Sequence, residues 1–231
     1  MCKLRFIFAN WAFTLLVVCG TAAGAAAAGD LSRYRDFQFG TDLPTVAGQV
    51  GASVSQAKTI YSRPALVQEL EWRPQSLGAS VQKESANEVV FSFYNSQLYR
   101  IEVKYDRYEI EGLTSEDIVE AVSAIYGPTA KLAAAPAPTE NHYGDKEQVV
   151  GRWQDSQYRF ELIRSSYGLG FGLVGVLTRL EAPAQAAIAE AQRLDIEEAP
   201  QRDAARQASE QEAVKAKLEK SRLVNKPRFR P

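Results

Sequence analysis

The chain has 231 residues, with 27 basic and 28 acidic side chains and a formal net charge of −1. That balance gives no electrostatic footprint for nucleic acid. The two cysteines, Cys2 and Cys19, both sit at the extreme N-terminus, so the chain beyond them has no disulfide, no thiolate metal site and no cysteine nucleophile.

Lys3 and Arg5 precede an apolar run from Phe6 to Cys19, followed by small residues up to Ala28 and then by Gly29-Asp30. Ala26 and Ala28 fit an A-x-A cleavage rule, so residues 1–28 read as a secretory signal peptide cut after Ala28. The run is shorter than the roughly 20 residues a membrane span needs. An uncleaved anchor is the alternative, as is lipid attachment at Cys19, although Val18 stands where lipoprotein signals want a small residue. The expected location is outside the cytoplasm, in the periplasm or secreted. Both cysteines leave with the signal. No later stretch is apolar enough to span a membrane.

Residues 29–181 then read as one α+β domain. Thr41 or Asp42 can cap a short helix with Leu43, Val46, Ala47 and Val50 on one side and Gly51 at its stop. Val89 to Tyr94 and Tyr99 to Tyr105 flank Asn95-Ser96-Gln97, a hairpin signal. In the second arm Tyr99, Ile101, Val103 and Tyr105 alternate with Arg100, Glu102 and Lys104, so one face is buried and the other wet. Thr114 with Asp117 resembles a capping box, Ile118, Val119, Val122, Ile125 and Tyr126 follow at helical spacing, and Gly127-Pro128 ends that helix. Val149 to Trp153 and the stretch with Tyr158, Phe160 and Leu162 form a second hairpin around Asp155-Ser156. Leu169 to Leu180 reads as a longer apolar strand.

The two halves are alike. Each has a helix ending in an apolar residue and Gly (Val50-Gly51, Tyr126-Gly127), then Ala-Lys in a short candidate strand (Ala57-Lys58, Ala130-Lys131). Each then has a strand ending in Trp (Trp72, Trp153) and two further strands. The expectation is a tandem α-β-β-β repeat forming one antiparallel sheet with short helices on one face, with Arg73 to Asn87 as an insertion.

Residues 182–225 differ in kind. They are rich in Ala, Glu, Gln, Lys and Arg, and read as a charged helical tail with coiled-coil character. Pro183 suits a helix start and Pro200 a break or kink. Ala184, Ile188, Ala191 and Leu194 can pack on the sheet. Beyond Gln201 the apolar stripe thins to Ala204, Ala208, Val214 and Leu218, with Glu198–Arg202, Glu212–Lys215 and Glu219–Arg222 as expected pairs. Residues 226–231 carry two prolines and read as a mobile basic end outside any helix.

Sites are harder to find. Gly170-Phe171-Gly172-Leu173-Val174-Gly175 matches GxGxxG, but it runs on as Val176-Leu177-Thr178, a strand where a dinucleotide fingerprint needs a helix. Gly168, Gly170 and Gly172 more simply bare one strand face for close packing. His142 is the single histidine, in a polar loop with Glu140 and Asp145. No metal-ligand spacing surrounds it. Asp106, Glu109 and Glu111 form a carboxylate cluster after a strand. Hence no catalytic, cofactor or metal residue is assigned. Trp72 and Trp153 end strands among apolar neighbours and are expected in the core; otherwise Trp72, Tyr99, Tyr105, Trp153 and Tyr158 make the candidate partner-binding surface.

Phe39-Gly40-Thr41-Asp42-Leu43 leading into Val50-Gly51, with Tyr126-Gly127-Pro128, resembles the small envelope modules of the SmpA/OmlA type and the tandem-repeat β-lactamase inhibitor proteins over residues 34–180. The resemblance implies short helices against an antiparallel sheet and action by binding other proteins. The functional expectation is therefore a non-enzymatic module of the cell envelope that binds an unidentified protein partner. The alternatives are a hydrolase of envelope polymers using carboxylates or His142, and a binder of an apolar small molecule between sheet and helices.

Overall fold

The structure is a computed structural model that describes residues 29–74, 85–130, 139–140, 146–165 and 170–230. It opens with a small hairpin, β1 (Arg33–Tyr34) and β2 (Phe37–Gln38). Helix α1 (Leu43–Gln49) follows, with the Asp42 carboxylate accepting from Thr45 N at 3.1 Å. Thr41 is therefore not the cap. Strands β3 (Lys58–Tyr61), β4 (Val67–Trp72), β5 (Ala86–Tyr94) and β6 (Gln97–Tyr105) complete the first half. The second half has α2 (Ser115–Tyr126), β7 (Thr139–Glu140), β8 (Lys146–Gln154), β9 (Tyr158–Ser165) and β10 (Phe171–Leu177). A long helix, α3 (Thr178–Asn225), closes the chain.

Local chemistry accounts for most of these boundaries. Thr114 and Asp117 form the capping box in full: Asp117 N donates to Thr114 Oγ1 at 3.2 Å and Thr114 N to Asp117 Oδ2 at 2.8 Å. Gly127 ends α2 at φ +86°, which Gly adopts without strain. In the β5–β6 hairpin Asn95 and Ser96 both take positive φ, +47° and +65°. That is the two-residue turn whose twist matches the strands, so β6 starts at Gln97, two residues earlier than its sequence pattern suggests.

Each half is thus α-β-β-β-β: the short strand after each helix is a full member of the sheet, which corrects the three-strand unit. All eight strands join one antiparallel sheet in the order β3-β4-β5-β6-β10-β9-β8-β7. The order reads the same from either edge, first strand of each unit outermost and last strand innermost. The matching tryptophans fall on equivalent strands, Trp72 on β4 and Trp153 on β8. Ala130, expected in the short strand after α2, is in no strand, although its N donates to Arg152 O of β8 at 2.7 Å; the first described strand of that half is β7. Lys131, Gly168 and most of the Arg73–Asn87 insertion lie outside the described residues.

Cross-strand rows define the two faces. Phe91, Ile101, Gly175 and Phe160 share one row, and Val89, Val103, Leu173 and Leu162 the next. These apolar rows meet α1, α2 and the N-terminal Tyr34, Phe37 and Phe39 in the main core. On the opposite face the rows run Val90, Glu102, Val174, Glu161, Arg152 and Ser92, Arg100, Val176, Arg159, Gln154. The short helices therefore cover one face, and the charged alternation of β6 lies on the other.

Helix α3 begins at Thr178, so the apolar strand stops at Leu177 and not at Leu180. It starts five residues before Pro183 and runs through Pro200 without interruption, against the break expected there. A proline costs a helix about 3 kcal/mol, but it deletes one backbone hydrogen bond, and long runs of strong helix formers flank it on both sides. Arg202 braces the site by donating to the Asp195 carbonyl at 2.8 Å and carboxylate at 3.1 Å. Arg202 is thereby taken from Glu198, which pairs with Arg63 in the β3–β4 connection instead. The Glu219–Arg222 pair forms as expected, at 2.8 Å. Ala184, Ala187 and Ala191 are buried, whereas every residue from Gln201 to Arg230 is exposed. Lys226–Arg228 adds a 3-10 turn, where the end was expected to be non-helical.

The closest packing in β10 falls at Gly175, not at Gly170 or Gly172. A Cβ on Gly175 would lie 2.5 Å from the Phe160 ring and 2.9 Å from that of Phe39, while one on Gly170 would meet nothing within 4 Å. Overpacking of this kind costs about 1–3 kcal/mol. Urea denaturation of Gly175→Ala should show a loss in that range, and Gly170→Ala should stay within about 0.5 kcal/mol of the parent; equal midpoints for the two variants would refute the packing role.

Candidate functional site

The five aromatic candidates do not form one surface. Trp153 is 1% exposed. Its indole N–H donates to Gly127 O at 2.9 Å, so it ties β8 to the C-terminus of α2. Trp72 packs edge-on against Phe37 at 5.5 Å and stacks on Phe91 at 6.4 Å. Tyr158 is half-buried and stacks on Phe39. Tyr99 is buried, and burial raises its hydroxyl pKa, with Glu69 and Glu181 adding to the rise. Tyr105 alone lines a sizeable opening.

That opening is an apolar groove of about 470 Å³ beside α2. Ile118, Val122 and Tyr126 of α2 form one wall, Tyr105 and Leu173 the sheet side, and Tyr34 and Arg35 of the hairpin the far rim. Asp117 also reaches the lining, but its carboxylate accepts from both Thr114 N and Thr114 Oγ1. Burial raises the Tyr105 and Tyr126 hydroxyls well above the ordinary tyrosine range, and the neighbouring Tyr34 hydroxyl raises both further. Both therefore stay protonated donors at neutral pH. Leu113 and Ile125, 48% and 67% exposed, stand at its edge. Sequence periodicity placed Ile125 on the buried side of α2; it is instead an exposed apolar residue at the groove mouth.

The opposite sheet face carries paired charges. Arg152 meets Glu161 at 2.5 Å, Arg159 meets Glu181 of α3 at 2.5 Å, and Arg100 meets Glu102 at 3.1 Å. Glu88 lies between Lys104 at 2.7 Å and Arg73 at 2.9 Å. Glu69 sits half-buried on this face, where desolvation and then Glu102 raise its pKa. Alternation in β6 foretold its polar face; Arg100 and Glu102 pair within that strand, whereas Lys104, Arg152 and Arg159 pair with residues of other strands and of α3, which no local pattern identifies.

The remaining candidates are dispersed. Asp106 holds its own turn by accepting from Tyr108 N at 2.8 Å. Glu111 lines a separate open hollow with Arg107, Glu116 and Arg164. His142 and Asp145 lie outside the described residues. The Gly170–Gly175 pattern runs almost entirely within β10 and leads to no helix until Thr178. Among the described residues no helix is long and apolar enough to cross a membrane. Among them, too, no group of three or more His, Cys, Asp or Glu side chains converges to hold a metal ion.

Comparison with protein-family models, with curated proteins and with solved structures finds no match to this chain.

Glu88 yields a pH test. The Lys104 ammonium, then Glu71 and Arg73, hold its pKa down to about 2, from an ordinary 4.5. A depressed carboxylate stabilises the fold above its unfolded pKa, and that contribution is lost as pH falls through the folded value. The stability gap between parent and Glu88→Gln should therefore be full at pH 6 and shrink from about pH 4.5 towards about 2. A gap independent of pH across that window would show that Glu88 acts through packing alone.

Proposed function

We propose that this is an exported, non-enzymatic protein-binding module of the cell envelope, in which the α+β body carries α3 as a docking arm. One observation carries the reading: from Gln201 to Asn225 the helix is exposed on every side and packs against nothing among the described residues. A helix with no tertiary contact gains nothing for the fold that bears it, so its exposed Val214, Leu218 and Leu223 are available to a partner. Helix-in-groove and coiled-coil recognition both use such a thin apolar stripe framed by charges. The resemblance to envelope modules that act by binding proteins points the same way. The export signal over residues 1–28 supplies the compartment.

The arm can be removed without touching the core, because the last buried residue of α3 is Ala191. A chain ending at Pro200 should melt within about 2 °C of the full chain, on the scale where 1 kcal/mol moves a domain this size by a few degrees. It should also lose the partner recovered from envelope extract with the full chain as bait. Equal recovery by the two baits would remove the arm from the function.

A further inference from the structure

Charge is divided unevenly along the chain. Residues 29–214 hold 18 basic and 27 acidic side chains, a net of −9. Residues 215–230 hold seven basic side chains and one acid, Glu219, a net of +6. An asymmetry of this kind marks a basic tail as an interaction element. Arg222 takes Glu219. Lys215, Lys217, Lys220, Lys226, Arg228 and Arg230 pair with no acidic side chain among the described residues, and all are exposed. The helix dipole does not account for them. It favours cations only within the last turn, where Arg222 is the basic residue.

The end of the arm stands apart from the body. From Ala191, its last buried residue, to Asn225 the helix runs about 50 Å at about 1.5 Å per residue. Charges that far apart are screened, since the Debye length is about 8 Å in physiological salt. The acidic body therefore neither neutralises this end nor holds it away from an anionic surface. A second copy offers it no acidic pocket: nowhere among the described residues do three acidic side chains converge to hold a cation. Its bases also share no face. At about 100° per residue, Lys215, Lys217, Lys220 and Arg222 spread round the helix. A protein groove reads one face of a helix, whereas a bilayer surface surrounds an end that enters it. At this end Arg222, Asn225, Lys226, Arg228 and Phe229 line a shallow hollow of about 420 Å³. Lys226 and Arg228 can meet a lipid phosphodiester there, while the exposed Val224 and Phe229 meet acyl chain.

We propose that residues 215–230 dock the chain on the surface of a bilayer rich in anionic phospholipid. Val224 and Phe229 enter the headgroup layer and the surrounding bases pair with phosphates. The site is the far end of the arm, and it does not need the protein partner proposed for the arm above.

The test is co-sedimentation of the processed chain, residues 29–231, with vesicles of phosphatidylcholine alone and of an equal mixture with phosphatidylglycerol. The mixed vesicles should bind at least about tenfold tighter, since each basic residue adds about fivefold at an anionic surface. Raising the salt from about 0.1 M to about 1 M shortens the Debye length from about 10 Å to about 3 Å and should release the chain. The triple variant Lys226→Gln, Arg228→Gln, Arg230→Gln should bind about a hundredfold more weakly, and Phe229→Ser about tenfold. All these positions are exposed, so the melting temperature should stay that of the parent. Equal binding to the two vesicles, or parental binding by the triple variant, overturns the proposal. Parental binding by Phe229→Ser overturns insertion of the end. Retention on poly-L-glutamate without vesicle binding overturns the proposal in favour of an acidic protein. The assay contains no envelope extract, so its failure leaves the protein-docking reading standing, and failure of that reading leaves this one.

Discussion

The antiparallel pairing of β6 with β10 holds the rest together. Each half of the chain is a meander, and each alone would leave its last strand, β6 or β10, as a bare edge. Pairing Ile101 with Gly175 and Val103 with Leu173 closes both edges on each other. It also aligns the apolar rows of the two halves into one continuous floor. Gly175 is the point of closest approach on that floor, where the Phe160 and Phe39 rings occupy the space a side chain would need.

From this seam follow the likenesses and differences of the halves. α1 and α2 cover the same face because they precede equivalent meanders. α1 has 7 residues and α2 has 12. The longer helix is anchored at its end by the Trp153 indole, which donates to Gly127 O. The equivalent Trp72 makes no such bond; its Nε1 is buried without a hydrogen-bond partner among the described residues, and the ring is held by Phe37 and Phe91. The N-terminal hairpin meets α2 where the Tyr126 hydroxyl donates to Arg33 O at 3.4 Å, and the groove lies beside that contact.

The sequence disclosed elements wherever the signal was local. The Thr114–Asp117 capping box, Gly127, the alternation of β6 and the Trp-bearing strands are all short-range patterns, and all recur in the structure. Features decided by distant partners were hidden. Phe37 and Phe39 lie in a stretch with no clear period, yet they reach the core because the seam brings Phe91 and Phe160 beneath them. Pro200 signalled a break, but helix continuity depends on the flanking Ala, Glu, Gln and Arg and on the Arg202 brace to Asp195. The groove was equally invisible: Tyr34, Tyr105 and Tyr126 come from three elements, and only the fold brings them to one lining.

Where α3 stops belonging to the body can be decided from magnitudes. The Arg63–Glu198 pair links the β3–β4 connection to α3 at the surface, and such a pair contributes about 0–1 kcal/mol. It cannot pin a helix of 48 residues. What holds it is the approach of Ala184, Ala187 and Ala191 to the sheet face that carries Val174 and Val176, where small side chains let the helix lie close and the valines are buried amid charged neighbours. That contact ends at Ala191, and it lies on the sheet face opposite Leu173, Tyr105 and the groove.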